Sequence, residues 1–155
     1  MLRKTKAAFS LIEVLICIGI LGLFLTSTVA SVNAGKKYVV INKMDAALNV
    51  MAADICGLQE YAIFSGANKS RLDLHIDKKG YNIYYGNKLH KNRRLNYQED
   101  GELYFKQKLT ALKFTSEGTP SANYTYILKS KSFSKISRGL ELQPISGRVV
   151  FKNIQ

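Results

Sequence analysis

Apolar residues fall along this chain in three successive patterns, and each predicts a different element. From Ala7 to Leu25 they are nearly continuous, interrupted by Ser10, Glu13, Gly19 and Gly22. From Val40 they recur at spacings of three and four, through Met44, Ala47, Leu48, Met51, Ile55, Leu58 and Ala62. That spacing makes one stripe of a helix, with Lys43, Asp45, Asn49 and Asp54 largely off it. No Pro occurs before Pro120, so one helix is predicted from Phe9 to about Phe64, ended by Ser65-Gly66-Ala67-Asn68. Beyond it the period drops to two. Leu72, Leu74 and Ile76 alternate with polar residues, Asp77-Lys78-Lys79-Gly80 reads as a turn, and Tyr81 to Tyr85 as a second strand that Gly86-Asn87 breaks. The basic stretch Lys88 to Arg94 reads as a loop or sheet edge. Further strands are predicted at Leu103 to Phe105, Leu109 to Phe114 and Tyr124 to Leu128, with a turn at Glu117 to Pro120. A last hairpin, Leu140 to Ile145 with Arg148 to Phe151, turns about Ser146-Gly147. The predicted class is α+β: a long N-terminal helix packed on a small antiparallel β-sheet domain, with the stripe from Val40 to Ala62 as its apolar cover.

The continuous apolar run changes the picture from a globular domain to an anchored one. Val14 to Val32 is 19 residues, near the ~20 needed to cross a bilayer core. Arg3, Lys4 and Lys6 favour a cytoplasmic N-terminus, which puts the body of the chain outside; Lys36 and Lys37 oppose this weakly. Glu13 is out of place in such a run. A carboxylate at the centre of a membrane helix costs roughly 2.5–3.5 kcal/mol on insertion scales, so it asks for a partner. A cut between Ala8 and Phe9 creates one: an ammonium at Phe9, able to pair with Glu13 of the same chain or of a neighbour packed alongside.

Behind its basic leader, Ala8-Phe9-Ser10-Leu11-Ile12-Glu13-Val14-Leu15-Ile16 resembles the prepilin signature of type IV pilins and pseudopilins. The resemblance implies cleavage before Phe9 by a prepilin peptidase, N-methylation of Phe9, and a role for Glu13 in docking subunits. The usual residue before the cut is Gly, and here it is Ala8. On this reading residues 1–8 are leader, 9–32 a membrane-spanning and filament-core helix, 33–65 an amphipathic helix, and 66–155 the β-sheet domain. The implied partners are other pilin or pseudopilin subunits, the prepilin peptidase, the membrane and an assembly platform. The implied location is a single pass of the cytoplasmic membrane, then a cell-surface filament. Two other readings stay open. A secretory signal would be cut near Thr28-Val29-Ala30 or Val32-Asn33-Ala34. A plain single-span anchor would hold a binding module that never assembles. Glu13 discriminates, because neither a signal core nor an inert anchor needs a carboxylate.

Charge adds a possible second layer of function. The net charge is +12; three of the 23 Lys and Arg lie in the leader, leaving 20 − 11 = +9 for the remainder. Such an excess suits nucleic acid, anionic lipid or wall polymer as a partner, or simply a solvated surface. Lys113 to Pro120 followed by Leu140 to Val149 resembles the C-terminal half of a pilin subfamily. Its members are the H-type minor pseudopilins of type II secretion, the FimT minor pilins and the D-type minor pilin of Gram-positive competence. Some FimT-like proteins bind DNA through a Gly-Arg-x-Arg tail. Gly147 and Arg148 match it, but Val150 stands where the second Arg would be, with Lys152 two residues on. The candidate phosphate contacts are Lys88, Lys91, Arg93, Arg94, Arg148 and Lys152, with Tyr84, Tyr85 or Tyr97 as stacking partners for bases.

Little else carries chemistry. His75 and His90 have no spaced Cys or carboxylate of metal-site type, and Glu99-Asp100-Gly101-Glu102 reads as a solvated turn. No phosphate loop or nucleophile–base spacing is present. The expectation is therefore no enzyme activity, no cofactor and no metal. Cys17 and Cys56 would lie ~58 Å apart on one helix at 1.5 Å per residue, so no bridge within the chain is expected.

Overall fold

The computed structural model describes residues 10–66, 70–95, 102–107 and 111–154, except the side chains of 26–31, 33 and 154. The chain divides into two compact units, Met1–Val39 and Val40–Gln155, and one helix, α1 (Leu11–Ser65), contributes to both.

α1 starts where a polar residue precedes the apolar run. The Ser10 carbonyl accepts the N–H of Glu13 at 3.0 Å and of Val14 at 3.3 Å, which makes Ser10 the N-cap and Glu13 the third helical residue. Ser-x-x-Glu is the capping-box pattern, and a carboxylate in the first turn also faces the positive end of the helix dipole. Within the first unit, Leu11, Ile12, Leu15, Ile16, Leu21, Leu23, Phe24 and Leu25 are all exposed. The expectation of a membrane-spanning first half is not carried by the described residues. No helix formed by them is long and apolar enough to cross a membrane.

The second unit is built around the stripe that the spacing predicts. Val40, Met44, Leu48, Met51, Ile55, Leu58 and Ala62 are buried, with Ala47 packed beside them. Eight strands follow among the described residues: β1 (Arg71–Leu74), β2 (Gly80–Tyr85), β3 (Lys88–Arg94), β4 (Leu103–Phe105), β5 (Leu112–Lys113), β6 (Tyr124–Ser130), β7 (Ser137–Leu142) and β8 (Val149–Ile154). All pairings are antiparallel, as the alternating pattern predicts. The strands form two sheets where one was expected, ordered β3-β2-β1-β5 and β4-β6-β7-β8. The reason lies in β5. It has two residues before the Thr115–Thr119 turn begins, too short to carry a ladder on its far side. Between the sheets the Phe105 N–H donates to the Lys78 carbonyl at 2.8 Å, and the Tyr124 hydroxyl to the Ala111 carbonyl at 2.8 Å. Inward residues of both sheets meet the stripe in one core: Leu72, Leu74, Tyr81 and Ile83 from the first, and Leu103, Phe105, Tyr124, Tyr126, Leu128, Leu140 and Leu142 from the second.

Local corrections follow from turn chemistry. Ile76, expected in a strand, sits in the β1–β2 turn at 88% exposure. Asp77 Oδ1 accepts the Lys79 N–H there, and Lys78 takes φ 58°. In the last hairpin, Pro144 and Ile145 belong to the turn rather than to a strand. Gly147 closes that turn at φ 64°, and a Cβ on it would run into the Gln59 amide and, at 2.8 Å, the Gly118 carbonyl. Gln59 Nε2 donates to the carbonyls of Gly118 and Ser146, so one helical side chain ties two turns to α1.

Candidate functional site

Ala8 and Phe9, the expected processing pair, lie outside the described residues, as does Tyr97. Glu13 lies within them, exposed in the first turn of α1.

The six candidate phosphate contacts are not gathered in one place. Lys88, Lys91, Arg93 and Arg94 lie on β3, an edge of the first sheet; Lys152 lies on β8, an edge of the second, and Arg148 just precedes it. Most of them face carboxylates. Lys91 Nζ donates to Asp54 Oδ1 at 2.8 Å, and Arg93 Nε donates to Asp54 Oδ2 at 3.0 Å. The Tyr81 hydroxyl adds a third bond at 3.0 Å. The Asp54 side chain is only 4% exposed, against 38% and 36% for Lys91 and Arg93. Burial pushes the Asp54 carboxyl up, but the bonds from Arg93, Lys91 and Tyr81 outweigh it and hold the group below the usual carboxylate range. Arg94 reaches Asp77 at 2.9 Å in an exposed pair. The Lys79 N–H, with Arg94 second to it, keeps Asp77 below its ordinary value. Lys152 pairs with Glu141 on the neighbouring strand β7. Lys88 and Arg148 are exposed, and no carboxylate meets either among the described residues.

The tyrosines are also engaged. Arg71 lies 4.2 Å over the ring of Tyr84. Tyr85 is sandwiched, with Tyr61 of α1 at 4.3 Å and His90 at 4.2 Å between ring centroids. A base could stack on Tyr85 only by displacing one of them. His90 reaches this position because the β2–β3 ladder shifts register between Ile83 and Tyr84, leaving His90 as the extra residue. Tyr61 and Tyr85 stand 24 residues apart in a helix and a strand, so no local spacing signals the stack.

His75 follows β1. Its Nε2 contacts Asn82 Oδ1 at 3.0 Å, and its Nδ1 is buried without a hydrogen-bond partner, 4.0 Å from Asp77 Oδ1. Of the acidic cluster, Glu102 is described. Burial raises its carboxyl, but bonds from the Ser130 and Ser132 hydroxyls and the Ser132 N–H bring it below the usual range. No group of three or more His, Cys, Asp or Glu able to hold a metal occurs among the described residues. Cys17 and Cys56 are free and exposed.

Residues 3–29 match the family model described as the prokaryotic N-terminal methylation motif. The match covers 27 of the 155 residues, so it speaks for the N-terminus and leaves the rest to the structure. No curated protein and no solved structure matches this chain.

Proposed function

We propose that this chain is a subunit of a type IV pilin-like filament, made as a precursor and processed at its N-terminus. The observation that carries the reading is the methylation motif over residues 3–29, placed so that Glu13 falls in the first turn of a long helix. A prepilin peptidase would cut between Ala8 and Phe9 and leave N-methyl-phenylalanine. The Phe9 ammonium and Glu13 then supply opposite charges four residues apart, in a stretch where unpaired charge is costly. Pairing between neighbours sets the register of one helix against the next. The exposed apolar side chains from Leu11 to Leu25 gain by burial, first in lipid over the proposed span Val14–Val32, then among other pilin helices. The amino end would face the cytoplasm and the unit from Val40 the outside. The tail around Gly147 and Arg148 supports a minor-subunit role of the H-type, FimT or competence D-type kind.

Mass spectrometry of the mature N-terminus tests this reading. A start at methylated Phe9 is expected. A start at Ser31 or Gly35 would replace it with a secretory signal. An intact Met1 in a host with active prepilin peptidase would replace it with a plain anchor. Glu13→Ala is expected to abolish recovery in sheared filaments while the thermal melt of the chain stays unchanged.

DNA capture is a further layer of the same proposal, supported by the charge of 20 − 11 = +9 that remains without the leader and by the exposed positions of Lys88 and Arg148. Contacts to phosphate carry no sequence information, and affinity should fall steeply with salt. Lys88→Gln with Arg148→Gln should flatten the salt slope by about two units; the same change at Lys91 and Arg93 should act mainly on stability.

A further inference from the structure

Among the described residues the two sheets have four edges, and three of them are blunted in ways that natural sheets use against strand addition. β3 carries Lys88, Lys91, Arg93 and Arg94 and a register shift. β4 has three residues and β5 two. β8 is different. It has six residues, Val149-Val150-Phe151-Lys152-Asn153-Ile154, with no Pro and an unshifted register against β7. Its one charged side chain, Lys152, is drawn back over the sheet to Glu141. Phe151 stands 53% exposed. A long, regular, apolar edge without a gatekeeper is a template for another strand.

The backbone of β8 shows which groups it offers. The Gln143 N–H donates to the Arg148 carbonyl at 2.9 Å, and bonded pairs alternate along an antiparallel ladder. Val150 and Lys152 therefore point their backbone groups at β7. Val149, Phe151 and Asn153 point theirs away from it, to the open side. Cations stand at both ends of this edge: Arg148 before it, and Lys131 and Lys135 in the exposed β6–β7 turn, which the Ser137–Ile154 pairing sets beside its far end.

We propose that β8 receives an extended segment of an acidic partner protein, apolar along its length and carboxylate-bearing at its ends. Backbone bonds to Val149, Phe151 and Asn153 give the attachment, and the Phe151 ring and flanking cations choose the partner. A second copy of this chain fits less well, because two molecules of net charge +12 repel one another. The inference stands on the edge strand and does not rest on the N-terminal motif.

The test uses the full chain in detergent micelles and a short blocked peptide in which valine and threonine alternate between two terminal glutamates. Saturable binding is expected, with slowed hydrogen exchange at the Phe151 and Asn153 amides. Phe151→Pro removes an outward donor, leaves the charge unchanged and spares the β7 ladder; it should weaken binding about tenfold or more. Asn153→Pro should do the same, and serves where Phe151→Pro melts early. A control peptide of equal charge with a central proline should bind poorly. Equal binding of that control, or no effect of either substitution in a folded chain, would overturn the proposal in favour of bare charge attraction. Failure of the peptide to bind, with self-association that Phe151→Pro abolishes, would overturn it in favour of a second copy.

Discussion

Asp54 shows how one residue can reverse its apparent role. By its polarity it belongs off the apolar stripe, yet its side chain is 4% exposed and accepts bonds from Lys91, Arg93 and Tyr81. It lies three residues after Met51 and four before Leu58, which places it on the stripe's own flank. The signal that finds it is on β3, where Lys91 and Arg93 share one strand face and need an anion beneath them. Removing the anion leaves two cations that are more than a third exposed and can turn to water, so the cost is well below that of breaking a fully buried pair. Asp54→Asn should lower stability by about 1–3 kcal/mol in a denaturant titration. The pH dependence has a definite sign. The folded-state pKa lies below the ordinary 3.8, so the contribution is present above about pH 4 and is lost as pH falls through the folded value. Asp54→Asn should flatten the acid limb of the stability–pH curve, and an unchanged limb would assign acid sensitivity to other carboxylates such as Asp77 and Glu102.

At the scale of elements, legibility follows the range of the interactions that decide each feature. The long helix and its stripe are legible because period and breakers are local properties of the chain. The strands are legible for the same reason, and β7–β8 turns about Ser146-Gly147 as read, with its strand limits shifted because Pro144 and Ile145 fall in the turn. The split into two sheets is not legible, since it depends on which short strand finds which neighbour across more than 30 residues, as β1 does with β5. Of the candidate site, the place of Glu13 near the start of the long helix is legible in the sequence. The pairing of the candidate cations with Asp54, Asp77 and Glu141 is not, because it is made between elements. The stripe itself gives a sharp expectation. Met51 is fully buried beneath the sheets. Met51→Asp puts an unpaired carboxylate there and should cost about 3–5 kcal/mol, enough to unfold a marginal domain, whereas Asn49→Asp on the exposed side of α1 should leave the melt within about 0.5 kcal/mol. A melt that Met51→Asp leaves unchanged would mean that the stripe faces elsewhere.

At the scale of the whole molecule, the division of labour predicts what can be separated. Every residue of the described core, from Val40 to Leu142, lies in the unit Val40–Gln155. The apolar side chains of Leu11 to Leu25 contribute nothing to that core and are exposed in the chain by itself. Deleting them removes exposed apolar surface and no residue of the described core. A fragment beginning at Gly35 should therefore be soluble without detergent and unfold in one cooperative transition, within a few degrees of the full chain in micelles. The stretch from Gly35 to Val39 supplies helical residues ahead of Val40, so that Met44 is not left in a fraying first turn. Starting at Met44 instead should cost stability, because Val40 leaves the core and Met44 becomes a helix end. Fragment melts by circular dichroism, with the full chain alongside, decide it. A fragment from Gly35 that is molten would show that the outer unit depends on the N-terminal helix, and the Glu13→Ala experiment would then need a stability control before any loss of filament incorporation was credited to the lost charge.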